Sequence, residues 1–113
     1  VFSGDTSPHP NVVKAAKGAD VLVHEVISVP AIDAMIAAVS PGNDELREHL
    51  LGDHSTPEQV GEIATEARVQ TLVLTHFGGT GHPEYDRPEV WEAAVRKTWS
   101  GKLIVGEDLQ VIE

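Results

Sequence analysis

The chain has 113 residues, 41% hydrophobic and 23% charged, enough for one domain that buries roughly two thirds of its unfolded surface. Eighteen acidic residues against eight basic ones leave a net charge of -10, which lacks the basic footprint of a self-sufficient nucleic-acid binder; no apolar run approaches the roughly 20 residues that span a bilayer. Cysteine is absent, which excludes disulfides and thiolate metal sites, leaves His and carboxylate side chains as metal ligands, and fits a reducing, cytoplasmic setting.

Apolar periods of two and of 3.6 alternate along the chain, so the expected class is α/β in a single domain spanning residues 1–113. Val1-Phe2-Ser3-Gly4 reads as a strand already in progress, and we expect the natural amino terminus to lie upstream of it. A turn-rich stretch, Asp5-Thr6-Ser7-Pro8, follows, and Asn11 is placed to cap a short helix through Ala16, with Gly18 near its stop. Asp20-Val21-Leu22-Val23-His24 is a short apolar run suited to a buried strand. Residues 30–39 are nearly continuous in apolar side chains, which predicts a helix packed on more than one side and closed at Pro41-Gly42; residues 44–51 add a helical turn or two.

His54-Ser55-Thr56-Pro57-Glu58-Gln59 is a strong helix start, with Thr56 as cap, Pro57 at the first helical position and Gln59 completing a capping box. Val60, Ile63, Ala64 and Ala67 then share one face. Thr71-Leu72-Val73-Leu74-Thr75-His76 is a second strand, running into the loop Gly78-Gly79-Thr80-Gly81. Pro88 opens a helix with Val90, Trp91, Ala94, Val95 and Trp99 inward, and residues 102–105 and 109–112 are expected to be two strands, joined as a hairpin through Gly106-Glu107-Asp108.

Polar residues able to bind metal or move protons fall at three strand ends: Asp5, the pair His24-Glu25, and His76. In open α/β folds such ends converge, because the backbone there opens into loops. Each also has a plainer explanation, Asp5 as a turn residue, Glu25 as a solvated strand end and His76 as a histidine at the core edge. His54, just before a helix cap, can act as a general acid or simply cover the first turn, while His9, His49 and His82 read as surface residues.

Four strings in order, Ser3-Gly4-Asp5-Thr6, Ala19-Asp20-Val21-Leu22-Val23-His24-Glu25, His54-Ser55-Thr56-Pro57-Glu58-Gln59 and Leu74-Thr75-His76-Phe77, resemble the carboxy-terminal part of metallo-β-lactamase-fold hydrolases. The branch they are most similar to holds ribonuclease Z, the tRNA 3'-end endonuclease, and the arylsulfatase-like hydrolases; the resemblance extends through Trp91 to Leu109. It implies the carboxy-terminal half of an αββα sandwich. It also implies that Asp5 bridges two metal ions and His76 is the last metal-binding histidine, with Glu25 orienting His54 for proton transfer to the leaving group. Zinc suits such ligands, two ions in the complete protein, with manganese or iron compatible.

The chain departs from that family in two places. The His-x-His-x-Asp-His signature and a further histidine implied upstream of Asp5 are not in this sequence, so the chain by itself is expected to hold no tight dinuclear site and to be inactive. Ribonuclease Z resemblance also implies a Ser/Pro-Arg-Tyr-like element after the last ligand, where this chain has Phe77-Gly78-Gly79-Thr80-Gly81-His82. With the acidic charge, that favours a small phosphate, sulfate or related ester over tRNA, with a non-catalytic binding module as the alternative outside enzymes. The apolar strands further predict an exposed sheet face that needs a partner, either the amino-terminal half or a second copy.

Overall fold

The computed structural model describes residues 1–113. In chain order the elements are α1 (Pro10–Ala16), β1 (Val21–Ile27), α2 (Val29–Val39), α3 (Asp44–Gly52), α4 (Pro57–Ala67), β2 (Thr71–Gly78), α5 (Pro88–Val95) and β3 (Lys102–Val105). The strands make one parallel sheet in the order β1-β2-β3. Parallel neighbours cannot be joined by a tight turn, which is why each connection here carries at least one helix.

Strand alternation sends Leu22 and Val26 of β1 and Leu72 and Leu74 of β2 to one face. There they are buried with Ala16 of α1, Val60, Ile63, Ala64 and Ala67 of α4, and Trp91, Val95 and Trp99 in and after α5. Each fully buried Val or Leu contributes about 1.5–3 kcal/mol by leaving water, so this helical face holds the domain together. α4 is fixed at its start by the capping box: Thr56 Oγ1 accepts from the Gln59 amide at 3.4 Å, and Gln59 Oε1 accepts from the Thr56 amide at 2.9 Å. Its Gly61 lies against the segment after α5, where a Cβ would meet Thr98 Oγ1, and Thr98 Oγ1 itself donates to the Glu58 carbonyl at 2.7 Å.

No helix covers the other sheet face. Val21, Val23 and Ile104 are only partly buried there, and Phe2, bridged to Val23, is 82% exposed. A second, smaller cluster of Ile27, Ile32 and Ile36, with Leu46, Leu50 and Leu51 against it, ties α2 to α3. Arg47 and Asp33 add an exposed ion pair at 2.7 Å, which holds the guanidinium above its ordinary pKa.

Four sequence expectations need correction. Residues 1–4 make a single bridge, Phe2 to Val23, instead of a strand, because Gly4 at φ +63° turns the chain away. The α1 cap is His9, whose Nδ1 accepts from the Asn11 amide at 3.1 Å; Pro10 occupies the first helical position, and Asn11 lies inside. α2 buries only Ala31, Ile32 and Ile36, leaving Val39 78% exposed, so it packs on one side. Finally, β3 pairs parallel with β2 and no hairpin forms; residues after Val105 are irregular, with Leu109 at φ +61° and fully exposed.

Candidate metal edge and proton-transfer pair

Glu25 lies near the carboxyl end of β1, 1% exposed, and a carboxylate buried that deeply must find donors. Two segments supply them. Glu25 Oε1 accepts from the Thr6 amide at 2.8 Å and from His54 Nδ1 at 2.9 Å, and Oε2 accepts from the Ser55 amide at 3.3 Å. Ser55, itself fully buried, donates its hydroxyl to the Thr6 carbonyl at 2.7 Å. The carboxylate thus draws together the loop after Gly4, β1 and the turn that opens α4. Because Nδ1–H donates to Glu25, the Nε2 of His54 is left for other partners, on a side chain that is 24% exposed.

His76 reaches the site by a different device. Leu72 and Leu74 face the helices, so strict alternation would carry His76 into the helical core as well. The register prevents this: Glu25 pairs with Thr75 and Val26 with Phe77, which leaves His76 as an extra residue in a β-bulge. At φ +47°, a left-handed conformation uncommon for a residue with a Cβ, His76 turns outward. Phe77 takes the inward position and packs on Trp91 at 5.1 Å between ring centroids. His76 Nε2 then lies 3.1 Å from Asp5 Oδ1, both side chains more than half exposed.

Asp5, Glu25 and His76 line one cleft of about 250 Å³, together with Phe2, Ser3, Gly4, Val23 and Thr75. No Lys or Arg lines it, so its field attracts cations and repels anions. Asp5 and His76 offer an oxygen and a nitrogen donor, a set that suits zinc, and the two already point at each other. They are only two: nowhere in the chain do three or more His, Asp or Glu side chains converge in a way that could hold a metal ion. The donor chemistry therefore fits one edge of a metal site.

Of the residues singled out from the sequence, the structure brings Asp5 to His76 and Glu25 to His54. His49 lies apart, exposed and 3.3 Å from Asp53, and His82 packs its ring 6.1 Å from Tyr85. Sequence reasoning missed Thr6 and Ser55 as supports of the Glu25 carboxylate, and Ser3, whose Oγ accepts from the Glu25 amide at 3.1 Å; Ser55 was hidden within a string that reads as a helix start. It also missed the bulge, since no glycine marks it.

The sheet with helices on one face superposes on the metallo-beta-lactamase fold protein YhfI from Bacillus subtilis with a TM-score of 0.63 at 20% identity, covering 95% of this chain and 36% of that one. The chain belongs to the metallo-β-lactamase fold. A single sheet covered on one side is what one half of an αββα sandwich contains. No family model matches this metallo-β-lactamase-fold chain. Among curated proteins it is 33% identical over all 113 residues to a ribonuclease Z from Mycolicibacterium gilvum, covering 36% of that protein. It is 41% identical over 86 residues, 76% of its length, to a ribonuclease Z from Brevibacillus brevis, of which it covers 22%. It is also 31% identical over 112 residues, 99% of its length, to one from Methanothermobacter thermautotrophicus, covering 31%. The chain spans about a third of the length of such relatives. No helix is long and apolar enough to cross a membrane.

Proposed function

We propose that this chain is one half of a metal-dependent hydrolase that cleaves a phosphate, sulfate or related ester with metal-activated water. The observation that carries the reading is the cleft where Asp5 and His76 pair and Glu25 forms part of the lining, with Glu25 fixing His54. Asp5 and His76 hold one edge of a zinc site, and the remaining ligands come from the other half of the fold. When bound, the metal supplies an acidified water and positive charge against the developing anion. His54 carries the leaving-group proton on Nε2, and the Glu25 carboxylate stabilises the imidazolium and keeps Nδ1 as the donor toward itself.

A cleft without Lys or Arg, on a chain of net charge -10, favours a small ester over a polyanion. A second reading, ribonuclease Z proper, draws support from the names of the relatives. A non-catalytic binding module would leave Asp5 and His76 as a surface ion pair, worth about 0–1 kcal/mol. In either enzyme reading the open sheet face around Phe2, Val23 and Ile104 receives the complementary half of the sandwich, in place of a second copy of this chain.

The test uses the full-length gene product containing this segment. Elemental analysis of that protein and of its Asp5→Ala/His76→Ala variant reads metal content. Hydrolysis of p-nitrophenyl phosphate, bis(p-nitrophenyl) phosphate, p-nitrophenyl sulfate and a precursor tRNA reads substrate class. Zinc lost in the double variant, with turnover of a small ester, is expected; unchanged zinc refutes the metal assignment, and turnover of precursor tRNA alone decides for the second reading. The 113-residue chain by itself is expected to retain roughly zero zinc after dialysis, because two exposed donors bind weakly.

A further inference from the structure

His24 occupies a buried place in β1 that suits an apolar side chain such as leucine. It is fully buried, it follows Leu22 and precedes Val26 on the helix-facing side, and its Nε2 has no hydrogen-bond partner at all. A buried polar atom left unpaired is a penalty that an apolar residue would avoid. What the imidazole supplies in return is at its other nitrogen: Nδ1 lies 2.8 Å from the Glu25 carbonyl oxygen. A carbonyl only accepts, so Nδ1 carries the proton and neutral Nε2 is the bare nitrogen.

The Glu25 carbonyl needs that donor because of where it falls. Along the outer edge of β1 the main-chain groups of alternate residues find partners in turn. Val23 bonds with Val1 and Ser3, its amide donating to the Val1 carbonyl at 2.8 Å and its carbonyl accepting from the Ser3 amide at 2.9 Å. The Ile27 amide donates to the Ser55 carbonyl at 2.9 Å. Between them the chain has turned away at Gly4. The Glu25 amide is met by Ser3 Oγ at 3.1 Å, and its carbonyl is met by His24. With those two bonds, the peptide groups that set the direction of the Glu25 side chain are held on both sides.

We propose that His24 is a positioning residue for the Glu25–His54 pair, its Nδ1–H clamping the Glu25 carbonyl so that the buried carboxylate stays aimed at His54. The consequence for proton transfer rests on the function proposed above. The clamp itself does not, and it can be tested on the 113-residue chain without metal or substrate.

Nitrogen-detected NMR of the histidine rings should show His24 protonated at Nδ1 and bare at Nε2. Amide hydrogen exchange then follows Thr6 and Ser55, whose N–H groups both donate to the Glu25 carboxylate, with Leu72 in the core as reference. In His24→Leu, Thr6 and Ser55 should exchange about tenfold faster, the factor that corresponds to one hydrogen bond of ordinary net strength, while Leu72 is unchanged. His24→Asn, whose side-chain amide can donate to the same carbonyl, should restore slow exchange. The opposite tautomer overturns the proposal. So does unaltered exchange at Thr6 and Ser55 in His24→Leu, or an equal acceleration of all three amides, which would make His24 a filler of the core. The tautomer decides the matter alone should His24→Leu fail to fold. Failure of the hydrolase reading would show instead as retained zinc in the Asp5/His76 double variant and would leave these exchange rates as they are.

Discussion

Replacing Glu25 by glutamine keeps the shape of the side chain and alters only what its two terminal atoms can accept. The carboxylate takes three bonds, two at Oε1 from Thr6 and His54 and one at Oε2 from Ser55. An amide has one oxygen. Placed at the Oε1 position it keeps the first two partners and turns an NH2 group toward the Ser55 amide, donor against donor. One buried N–H then goes unpaired, costing about 1–3 kcal/mol, and the two remaining bonds lose the charge that roughly doubles their strength. We expect a loss of about 2–4 kcal/mol, which in a domain of this size lowers Tm by roughly 8–15 °C. Urea unfolding followed by circular dichroism measures it, with an unchanged m-value showing that the folded state is as compact as before. His54→Ala should cost less than loss of the Ser55 contact, since the His54 side chain is 24% exposed and water can replace it, whereas Ser55 is fully buried. A Glu25→Gln variant within about 0.5 kcal/mol of wild type would refute the idea that this carboxylate ties the three segments together.

Three further outcomes follow from single features of the structure. Burial pushes the His24 imidazole below its ordinary pKa of 6.5, against smaller opposing effects of the Glu25 carbonyl and charge. The unfolded chain therefore takes up a proton there that the folded chain resists, so this contribution is complete above about pH 6.5 and is lost as pH falls, at up to ~1.4 kcal/mol per pH unit. Comparing wild type with His24→Leu between about pH 7.5 and about pH 5 isolates it, and equal slopes would count against it. Gly61→Ala should cost about 1–3 kcal/mol by forcing Thr98 away from α4, read as a lowered urea midpoint; an unchanged midpoint would mean the contact yields freely. Thr56→Ala removes half of the capping box and should cost about 0.5–1 kcal/mol, with faster amide exchange confined to the first turn of α4.

The elements most legible in the sequence are those whose cause is local. The cap and proline that open α4, the spacing of Val60, Ile63, Ala64 and Ala67, and the apolar runs of β1 and β2 need nothing beyond their own neighbours to be read. The failures came where a distant partner decides. Residues 1–4 have strand composition but only one bridging contact, and the apolar run of α2 has only one surface to bury against. The segment after Val105 has the apolar residues of a strand and no neighbour to pair with.

The candidate site divides the same way. The sequence alone determined the α/β class and the exclusion of thiolate metal sites, and it nominated Asp5, Glu25, His54 and His76 as candidates through their resemblance to a family, because residue type and order are local information. Only the tertiary structure decided that His76 leaves the helical face through a bulge to meet Asp5, and that Glu25 is buried and bound by Thr6, His54 and Ser55. Bulge register is set by how β2 pairs with β1 and by where Phe77 packs on Trp91, and burial of a carboxylate depends on donors from segments up to thirty residues away.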